Sequence, residues 1–567
     1  MKRLIPVLIA FVLIVLVVGI NFVPKIIEKY SYSQERADLN AYYGVNTENE
    51  AAVILQDEIL EDHALIRDGK PYISYDMVSS YFVSSRFYVN EAENTIRYVL
   101  PDRILECPIG ESYYLDGSTP IDTGAAVAFS ENGKLYLALD FVRNFTVFDY
   151  TLYPAPMRVQ IYVTYEERQQ AVIAADTQVR VRGGIKSEIL EDVGKGDVVY
   201  VLEAMDEWSK VKTADSVMGY VENKRLEDYS TVTPTFADTT STYGDLEYTS
   251  QSRDGKIVLG WHQVGGSAGN DTLVAAVSSA EALTVIAPTW FHLSGDQGDV
   301  VSYASSSYVN EAHARGLEVW ALCDDFTETV DDYALFSSSS IRAHIIEQLV
   351  TQALNYGIDG LNIDFEKVSS EAGPHYVEFM RELSVACRQN NIVLSVDLYP
   401  PSGGTTWYNR SEQGVYCDYV CVMGYDEHYA GCATAGSVAS IGYVEAGIQD
   451  TLACDVPASK LINGIPFYTR IWSTAGTSLS SEAVGMDTAA SYIANHNLEA
   501  VWDEECCQYY AEYMNNDTYV QLWLEDVSSI QAKLDVMQAN GIAGVACWKL
   551  TLESSDVWPV IAEYAAK

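Results

Sequence analysis

From about residue 250 onward, short apolar runs alternate with longer stretches of helical periodicity. This alternation is typical of repeated strand–helix units, and an α/β fold with eight of them in about 318 residues predicts a TIM barrel, (β/α)8. In such a barrel the active site lies at the carboxyl ends of the strands. The eight predicted strands are Lys256–Trp261, Leu283–Thr289, Leu317–Cys323, Gly360–Phe365, Ile392–Leu398, Tyr419–Gly424, Leu461–Pro466 and Gly544–Trp548.

The N-terminal half has a different pattern, with strand-like alternation and an internal repeat. The block Gly69–Ser74 recurs 64 positions later as Gly133–Ala138, and each copy leads into further strand-like sequence. This pattern predicts a small duplicated α+β domain over residues 48–165. Short strands and Gly-rich turns predict a small all-β barrel over 168–228, and the Ser-, Thr- and Asp-rich segment 229–249 predicts a linker.

The first 24 residues predict a membrane anchor. Lys2 and Arg3 precede an uncharged run, Leu4–Val23, that is long enough to span a hydrocarbon core of about 30 Å. No small-residue cleavage site follows, which favours an uncleaved anchor over a secretory signal, although a cleaved signal stays an alternative. The basic start predicts a cytoplasmic N-terminus and an extracellular remainder.

Charge and cysteine usage exclude several classes of function. The formal net charge of −44 repels nucleic acid, so we expect no nucleic-acid partner. None of the ten cysteines lies in a paired Cys-x-x-Cys pattern, so we expect neither a metal nor another cofactor. A disulfide among Cys417, Cys432 and Cys454 is left open by the sequence.

The fourth predicted strand carries the clearest chemistry. Strand side chains alternate between faces, so Asn362, Asp364 and Glu366 share one face and the apolar residues between them share the other. Burying two carboxyls and an amide is costly unless they serve each other or a substrate. We therefore expect this face to point into the barrel, with Glu366 at the catalytic rim. An alternative is a polar barrel layer satisfied by its own hydrogen bonds.

This segment resembles the signature of glycoside hydrolase family 18, the chitinases and their relatives, Asp-x-x-Asp-x-Asp-x-Glu. Asp359, Asn362, Asp364 and Glu366 occupy its four positions, and the resemblance covers nearly all of residues 250–567. Further resemblances, in the order expected of the family, are Met423-Gly424-Tyr425-Asp426, Gly464-Ile465-Pro466-Phe467-Tyr468-Thr469-Arg470 and Trp548 on the last strand.

The resemblance implies a substrate-assisted, retaining hydrolysis of β-linked N-acetylglucosamine. Glu366 would be the acid, Asp364 would accept the acetamide N–H, and Tyr425 would hold the acetamido oxygen. Because Asn362 cannot store a proton, we expect it to favour the Asp364 anion. The residues expected to bind substrate are Asn362, Asp426, Trp548, Tyr468, Arg470 and Trp261.

Two departures from the family pattern concern the substrate more than catalysis. Asn362 replaces an aspartate, and the third strand reads Trp320-Ala321-Leu322-Cys323-Asp324-Asp325 in place of Ser-x-Gly-Gly. Both are similar to the bacterial subgroup of spore-cortex N-acetylglucosaminidases, so peptidoglycan is expected beside chitin-like polymers.

The two N-terminal domains also resemble known modules. Residues 48–165 resemble the N-terminal domain of copper amine oxidases, and 168–228 resemble a bacterial Src-homology-3-like domain, which implies contact with the cell wall or a spacer role. The expected protein is thus a cell-surface hydrolase, or, if secreted, a soluble one. A wall-glycan-binding lectin of family 18 and a structural wall scaffold are the alternatives.

Overall fold

A computed structural model describes residues 5–82, 86–244 and 246–567 of the chain. Residues 1–4 of the predicted anchor, 83–85 of the predicted duplicated domain and 245 of the predicted linker lie outside this description. Contacts divide the molecule into two compact units, one with residues up to 87 and 106–246, the other with 88–105 and 247–567.

The N-terminal segment is a long apolar helix, α1 (Ile5–Tyr30). The most apolar 18 residues within Val7–Tyr30 have a mean hydropathy of 2.9, and none of them is buried. By length and composition this helix is able to cross a membrane, and a signal sequence would pass the same test.

The first unit contains a mixed seven-stranded sheet in the order β11-β12-β1-β2-β3-β10-β9. Its strand β1 runs parallel to β12, although the two are separated by about 100 residues in the chain. The elements up to residue 162 are α2 (Leu39–Tyr43), β1 (Glu50–Leu55), β2 (Glu58–Arg67), β3 (Lys70–Ser74), α3 (Tyr75–Tyr81), β4 (Tyr88–Asn90), β5 (Thr95–Val99), β6 (Ile104–Pro108), β7 (Tyr113–Asp116), β8 (Thr119–Asp122), β9 (Ala128–Glu131), β10 (Lys134–Ala138), α4 (Leu139–Val142), β11 (Asp149–Tyr153) and β12 (Arg158–Tyr162).

The internal repeat forms equivalent pieces of this sheet. The strand of each copy, β3 and β10, is followed directly by a short helix, α3 and α4. The two strands pair antiparallel, with Leu137 opposite Ile73. The repeated sequence blocks therefore lie side by side in one sheet.

A second seven-stranded sheet follows in the order β15-β14-β18-β17-β16-β13-β19. Its last strand extends into the predicted linker, and Tyr243 of that segment is buried, so parts of residues 229–249 are packed against the unit. The strands are β13 (Arg168–Ile173), β14 (Thr177–Arg180), β15 (Ile189–Val193), β16 (Val198–Ala204), β17 (Trp208–Lys212), β18 (Met218–Glu222) and β19 (Leu226–Val232).

The second unit is a closed barrel of eight parallel strands, which confirms the predicted TIM barrel. The strands follow one another around the barrel in chain order, and the first pairs with both the second and the last. They are β20 (Ile257–His262), β21 (Val285–Ser294), β23 (Glu318–Asp324), β24 (Gly360–Asp364), β25 (Val393–Leu398), β26 (Tyr419–Val422), β27 (Leu461–Pro466) and β33 (Gly544–Trp548). A further strand, β22 (Asp299–Ser302), forms a hairpin with the end of β21.

Helices connect the barrel strands and cover their outer faces. Leu361, Ile363 and Phe365 of the β24 segment, the apolar face predicted from the sequence, are all almost completely buried. The helices are α5 (Leu273–Ala276), α6 (Ser306–Ala314), α7 (Asp332–Ser337), α8 (Ser339–Tyr356), α9 (Gly373–Gln389), α10 (Arg410–Tyr416), α11 (Ile441–Ala453), α13 (Val527–Ala539) and α14 (Trp558–Ala565).

An insertion that the sequence analysis missed lies between the last two barrel strands. Five strands form an antiparallel sheet in the order β29-β28-β32-β31-β30. The insertion consists of β28 (Tyr468–Ala475), β29 (Ser478–Gly485), α12 (Met486–Asn495), β30 (Val501–Asp503), β31 (Gln508–Asn515) and β32 (Thr518–Leu524).

The hairpin β4–β5 belongs to the barrel unit, although its sequence lies inside the predicted duplicated domain. Arg97 of β5 donates to Glu382 of α9 at 2.8 Å, and the same carboxylate receives two hydrogen bonds from Arg342 of α8 at 2.9 Å each. Arg342 and Glu382 are both buried. The hairpin is thus held to two barrel helices by a largely desolvated charge network.

All ten cysteines are free thiols. Cys417 is fully buried, whereas Cys432 and Cys454 are partly exposed. The disulfide that the sequence left open is not present among these three residues.

Candidate functional site

The site is built at the carboxyl ends of β23, β24 and β25, where acidic residues stand side by side. Asp324 and Asp364 are direct neighbours in the strand register, and Asp397 follows in register on the other side of Asp364. All three are at most 6% exposed. Since neighbouring strands lie about 4.8 Å apart, their carboxyl groups repel one another strongly in this poorly solvated space.

Two of the three aspartates have partners that compensate for their burial. Asp324 is 2.8 Å from Nδ1 of His292. Asp397 accepts a hydrogen bond of 2.8 Å from the Nδ2 amide of Asn362. By contrast, Oδ1 of Asp364 is buried with no hydrogen-bond partner among the described residues. Asp364 is therefore the carboxyl of this row in which the burial of one oxygen is not compensated by a hydrogen bond.

Burial and the neighbouring charges determine which of these groups are ionised. Burial, followed by the charges of Asp397 and Glu366, holds the pKa of Asp364 well above its usual range. Burial also raises the pKa of Asp397 to about 7, partly offset by the hydrogen bond from Asn362. The row is thus expected to retain at least one proton near neutral pH.

Asn362 lies below Asp364 and connects three strands. Its Oδ1 accepts a 3.0 Å hydrogen bond from the Trp261 indole, and its Nδ2 donates to Ser395 and to Asp397. The amide therefore stabilises the Asp397 carboxylate. None of these hydrogen bonds reaches Asp364, so the expectation that Asn362 favours the Asp364 anion stays a prediction.

Glu366 lies just beyond β24, at the rim. Its Oε2 accepts a hydrogen bond from the hydroxyl of Tyr399, and its backbone N–H donates to Asp325. Burial raises the pKa of Glu366; the Tyr399 hydrogen bond opposes this shift, while nearby acids, above all Asp325, add to it. A carboxyl in this environment suits a proton donor.

Aromatic side chains line the barrel beside the carboxyl groups. Trp261 packs edge-on against Trp548 and Tyr425, with ring centroids 5.9 and 6.3 Å apart. Burial, then the Asp364 charge, holds the pKa of Tyr425 well above its usual range, so its hydroxyl stays a neutral donor. At Gly464 of β27, a Cβ atom would come within 2.9 Å of the Tyr425 ring, so the glycine makes room for it.

The remaining predicted residues lie along the rim and in the insertion. Tyr468, at the start of β28, donates a 2.5 Å hydrogen bond to the exposed Asp426. Arg470 donates to Ser481 of β29 at 3.2 Å, so its hydrogen bond lies within the insertion sheet. Eight of the nine predicted residues thus belong to one connected rim, whereas Arg470 is directed towards the insertion.

Sequence reasoning missed Asp325, Asp332 and Asp397 as members of the site. Asp397 had a detectable signal, because Ser395, Asp397 and Tyr399 repeat the period-two polar pattern of the signature strand. Asp332, at the start of α7, had no comparable signal. Among the described residues, no cluster of His, Cys, Asp and Glu side chains has the arrangement of a metal site.

Comparisons with known proteins identify the barrel. Residues 281–553 match the family model of glycosyl hydrolases family 18, so the chain carries a glycoside hydrolase domain of that family. The chain is 25% identical over 277 residues to the uncharacterized glycosylase YvbX of Bacillus subtilis (strain 168), covering 47% of this chain and 80% of that protein.

Two further matches concern proteins named for cortex lysis. The Bacillus subtilis (strain 168) cortical fragment-lytic enzyme is 25% identical over 239 residues, or 40% of this chain and 55% of that relative. The crystal structure of the Bacillus cereus spore cortex-lytic enzyme SleL superposes with a TM-score of 0.50 at 21% identity, covering 55% of this chain and 75% of that chain. This chain therefore spans only about half of the cortical fragment-lytic relative.

Replacing Asp397 by Asn should change how stability depends on pH. The unfolded-state pKa of an aspartate is about 3.9, and burial raises the folded-state pKa of Asp397 to about 7. The folded state therefore binds this proton more tightly, and wild type loses the contribution as pH rises from about 4 to about 7. We expect the Tm of Asp397→Asn, relative to wild type, to increase between pH 5 and pH 8, by the equivalent of at most a few kcal/mol.

Asp296→Asn, at an exposed aspartate beyond β21, is the matched control and should show no such trend. Thermal unfolding followed by circular dichroism across this pH range measures both variants. Parallel Tm–pH curves for Asp397→Asn and wild type would contradict the assignment of a buried, proton-binding Asp397.

Proposed function

We propose that the family 18 domain of this chain hydrolyses β-1,4 linkages of N-acetylglucosamine-containing glycans by substrate-assisted retention. The observation that carries the proposal is the pairing of Glu366, a half-buried carboxyl at the rim, with Asp364, which has a buried oxygen without a partner. One group suits proton donation and the other suits acceptance of an N–H from the substrate.

In the proposed reaction, the Glu366 carboxyl gives its proton to the glycosidic oxygen as the bond to the anomeric carbon breaks. The substrate's acetamido oxygen forms the new bond to that carbon, and the positive charge spreads onto the acetamide nitrogen. With the proton of the acidic row on Asp397, Asp364 would be the anion that accepts the acetamide N–H and offsets this charge. Water then attacks the anomeric carbon and breaks its bond to the acetamido oxygen, which restores the acetamide. Glu366 takes the proton of that water and returns to its starting state.

The position of Asp364 argues against its being a nucleophile. Asp364 ends β24 and Glu366 follows two residues later, so at extended-chain spacing their bases lie about 7 Å apart, and we expect both to approach the sugar from one side. A protein nucleophile in a retaining glycosidase must reach the anomeric carbon from the side opposite the leaving group. The acetamido group of the substrate can reach that side.

The neutral hydroxyl of Tyr425 supports this arrangement. Tyr425 is 8% exposed, and its ring packs between Trp261 and Gly464, so its hydroxyl has a fixed direction. A fixed neutral donor can hold the acetamido oxygen for attack without a charge of its own. Trp548 and Trp261 would provide the apolar surface under the sugar ring.

The relative named for lysis of cortical fragments favours a cell-wall glycan as the substrate. Peptidoglycan strands and a chitin-like polymer share the N-acetylglucosamine unit that the mechanism needs. A second candidate function, binding of wall glycan without cleavage, would need neither the proton-donor environment of Glu366 nor its hydrogen bond from Tyr399. A purely structural role as a wall scaffold would need neither of these features of Glu366.

We further propose that the chain acts at the cell surface, with helix α1 as a single membrane anchor and residues 168–228 in contact with the wall. In fractionated cells the protein should remain with the membranes, and external protease should digest the barrel of intact cells. A soluble mature form that begins after about residue 25 would instead favour a cleaved signal. Wall contact through residues 168–228 is tested by co-sedimentation with insoluble wall, comparing the full chain with one lacking these residues.

Replacing Glu366 by Gln should abolish most of the activity without unfolding the barrel. The amide preserves shape and a hydrogen bond with Tyr399 but cannot donate a proton to the leaving group, which costs about 10²-fold or more in rate. The measurement is release of reducing ends from purified wall and from N-acetylchito-oligosaccharides. Glu347→Gln, an exposed glutamate on α8, is the control and should keep the wild-type rate.

Turnover near wild type in folded Glu366→Gln would remove this residue from the role of acid. Absence of reducing ends from wild-type protein, combined with retained wall binding, would favour the lectin alternative.

Substrates that lack the acetamido group should bind but remain almost uncleaved. Matched glycosides with a 2-acetamido, a 2-hydroxyl or a free 2-amine group separate the two kinds of nucleophile, and a thiazoline mimic of the cyclic intermediate should inhibit. Nuclear magnetic resonance should detect the β-anomer as the first product. A glycosyl ester on Asp364, trapped and seen by mass spectrometry, would exclude this mechanism.

A further inference from the structure

Asp325 is a fully buried carboxylate that accepts hydrogen bonds from the backbone at and after Glu366. Strand β24 ends at Asp364, so the following peptide groups need partners from elsewhere. The two carboxylate oxygens of Asp325 accept the backbone N–H of Glu366 at 3.1 Å and of Lys367 at 2.8 Å. One side chain, from the residue that follows β23, thereby fixes two successive peptide groups at the rim.

Asp332, the first residue of α7, faces Asp325 from the other side and is 7% exposed. Burial, followed by the Asp325 charge, raises the pKa of Asp332 to about 8. Burial raises the pKa of Asp325 as well, but the N–H groups of Lys367 and Glu366 and a hydrogen bond with Asp332 oppose this rise. The pair is therefore ionised once at neutral pH, with the proton on Asp332 and the charge on Asp325.

We propose that Asp325 and Asp332 are positioning residues for the general acid. Ionised Asp325 fixes the peptide of Glu366, and its negative charge keeps the proton on the Glu366 carboxyl until the substrate takes it. Protonated Asp332 donates a hydrogen bond to Asp325 and holds that carboxylate in place. This inference rests on the proposed role of Glu366 as the acid.

Among the charged groups around Glu366, Asp325 is the one that also contacts its backbone. The Tyr399 hydroxyl donates to Glu366 and favours its ionised form, and Lys367, next in the chain, directs its ammonium group to the carbonyl of Phe326 at 2.7 Å. The acidic groups that face Glu366 or the row beside it are Asp325, Asp426, Asp324, Asp364 and Asp397. In the described part of the chain, only Asp325 among these acids both raises the pKa of Glu366 and accepts a hydrogen bond from the backbone N–H of Glu366.

The sign of the charge effect gives a measurable consequence. A negative neighbour disfavours ionisation of Glu366, so its removal lets Glu366 lose its proton at a lower pH. The acid must be protonated to act, and its ionisation therefore sets an alkaline limb of the pH profile of kcat/KM. Asp325→Asn should move this limb to lower pH by about one unit, the size expected of a single close charge.

The experiment compares Asp325→Asn, Asp332→Asn and Asp332→Ala with the control Glu328→Gln. Glu328 is an exposed acid of the same loop, so its variant makes the same change in net charge without the contacts. The probe is a chromogenic N-acetylchito-oligosaccharide, and kcat and KM are measured from pH 4 to pH 9 after thermal unfolding has established that each variant folds.

For Asp325→Asn we expect the shifted limb and a fall in kcat of about tenfold or more, with KM changed far less, because the acid is mispositioned and binding is not. Asp332→Asn keeps a donor towards Asp325 and should retain most of kcat, whereas Asp332→Ala should lose it. Glu328→Gln should match wild type in kcat and in the position of the limb.

An unshifted alkaline limb in folded Asp325→Asn would overturn the inference, as would an equal shift in Glu328→Gln. If Asp325→Asn does not fold, the comparison at position 332 decides, and equal kcat values for the Asn and Ala variants would overturn it. Wild-type protein that cleaves no N-acetylated probe would overturn the proposed function and this inference together. An active wild type with unchanged variants would overturn this inference alone.

Discussion

Repulsion among buried carboxyl groups at the rim of the barrel constrains the rest of the site. Asp324, Asp364 and Asp397 stand on three adjacent strands, and Asp325 and Glu366 follow directly. Bare charges at this spacing would destabilise the fold by several kcal/mol. Each carboxyl is instead stabilised in its own way: by a histidine, by an amide, by backbone N–H groups or by a shared proton. Asp364 keeps one buried oxygen that has no hydrogen-bond partner in the described part of the chain.

The same constraint explains Asn362 at a signature position where the family has an aspartate. Another carboxyl here would stand next to both Asp364 and Asp397. The amide accepts from Trp261 on one side and donates to Asp397 on the other, and a carboxylate cannot make the second contact. The amide at position 362 therefore fits beside the carboxyl of the next strand, to which it donates a hydrogen bond.

The sequence predicts what depends on local periodicity and leaves out what depends on lateral register. The apolar runs located all eight barrel strands, and the alternation of Asn362, Asp364 and Glu366 gave the inward face. Asp397 and Asp325 are neighbours of that face across strands, and their places depend on strand register and barrel closure, which no run of residues encodes. The sequence analysis missed the insertion because its first strand, Tyr468–Ala475, overlaps the end of a family motif.

The charge network of α8 and α9 shows that the barrel is not a self-contained segment of the chain. Removal of Arg97 and its hairpin would leave Glu382 with Arg342 alone and would expose a pair that is now almost completely buried. Exposure relieves the desolvation of the pair but also removes the apolar cover that Tyr88 and its neighbours place on α9. Of the two helices, α8 contacts β24, which is followed by Glu366, and α9 contacts β25. Residues 88–105 therefore belong to the structural support of the site, and a chain shortened to start at the predicted linker would lose that support.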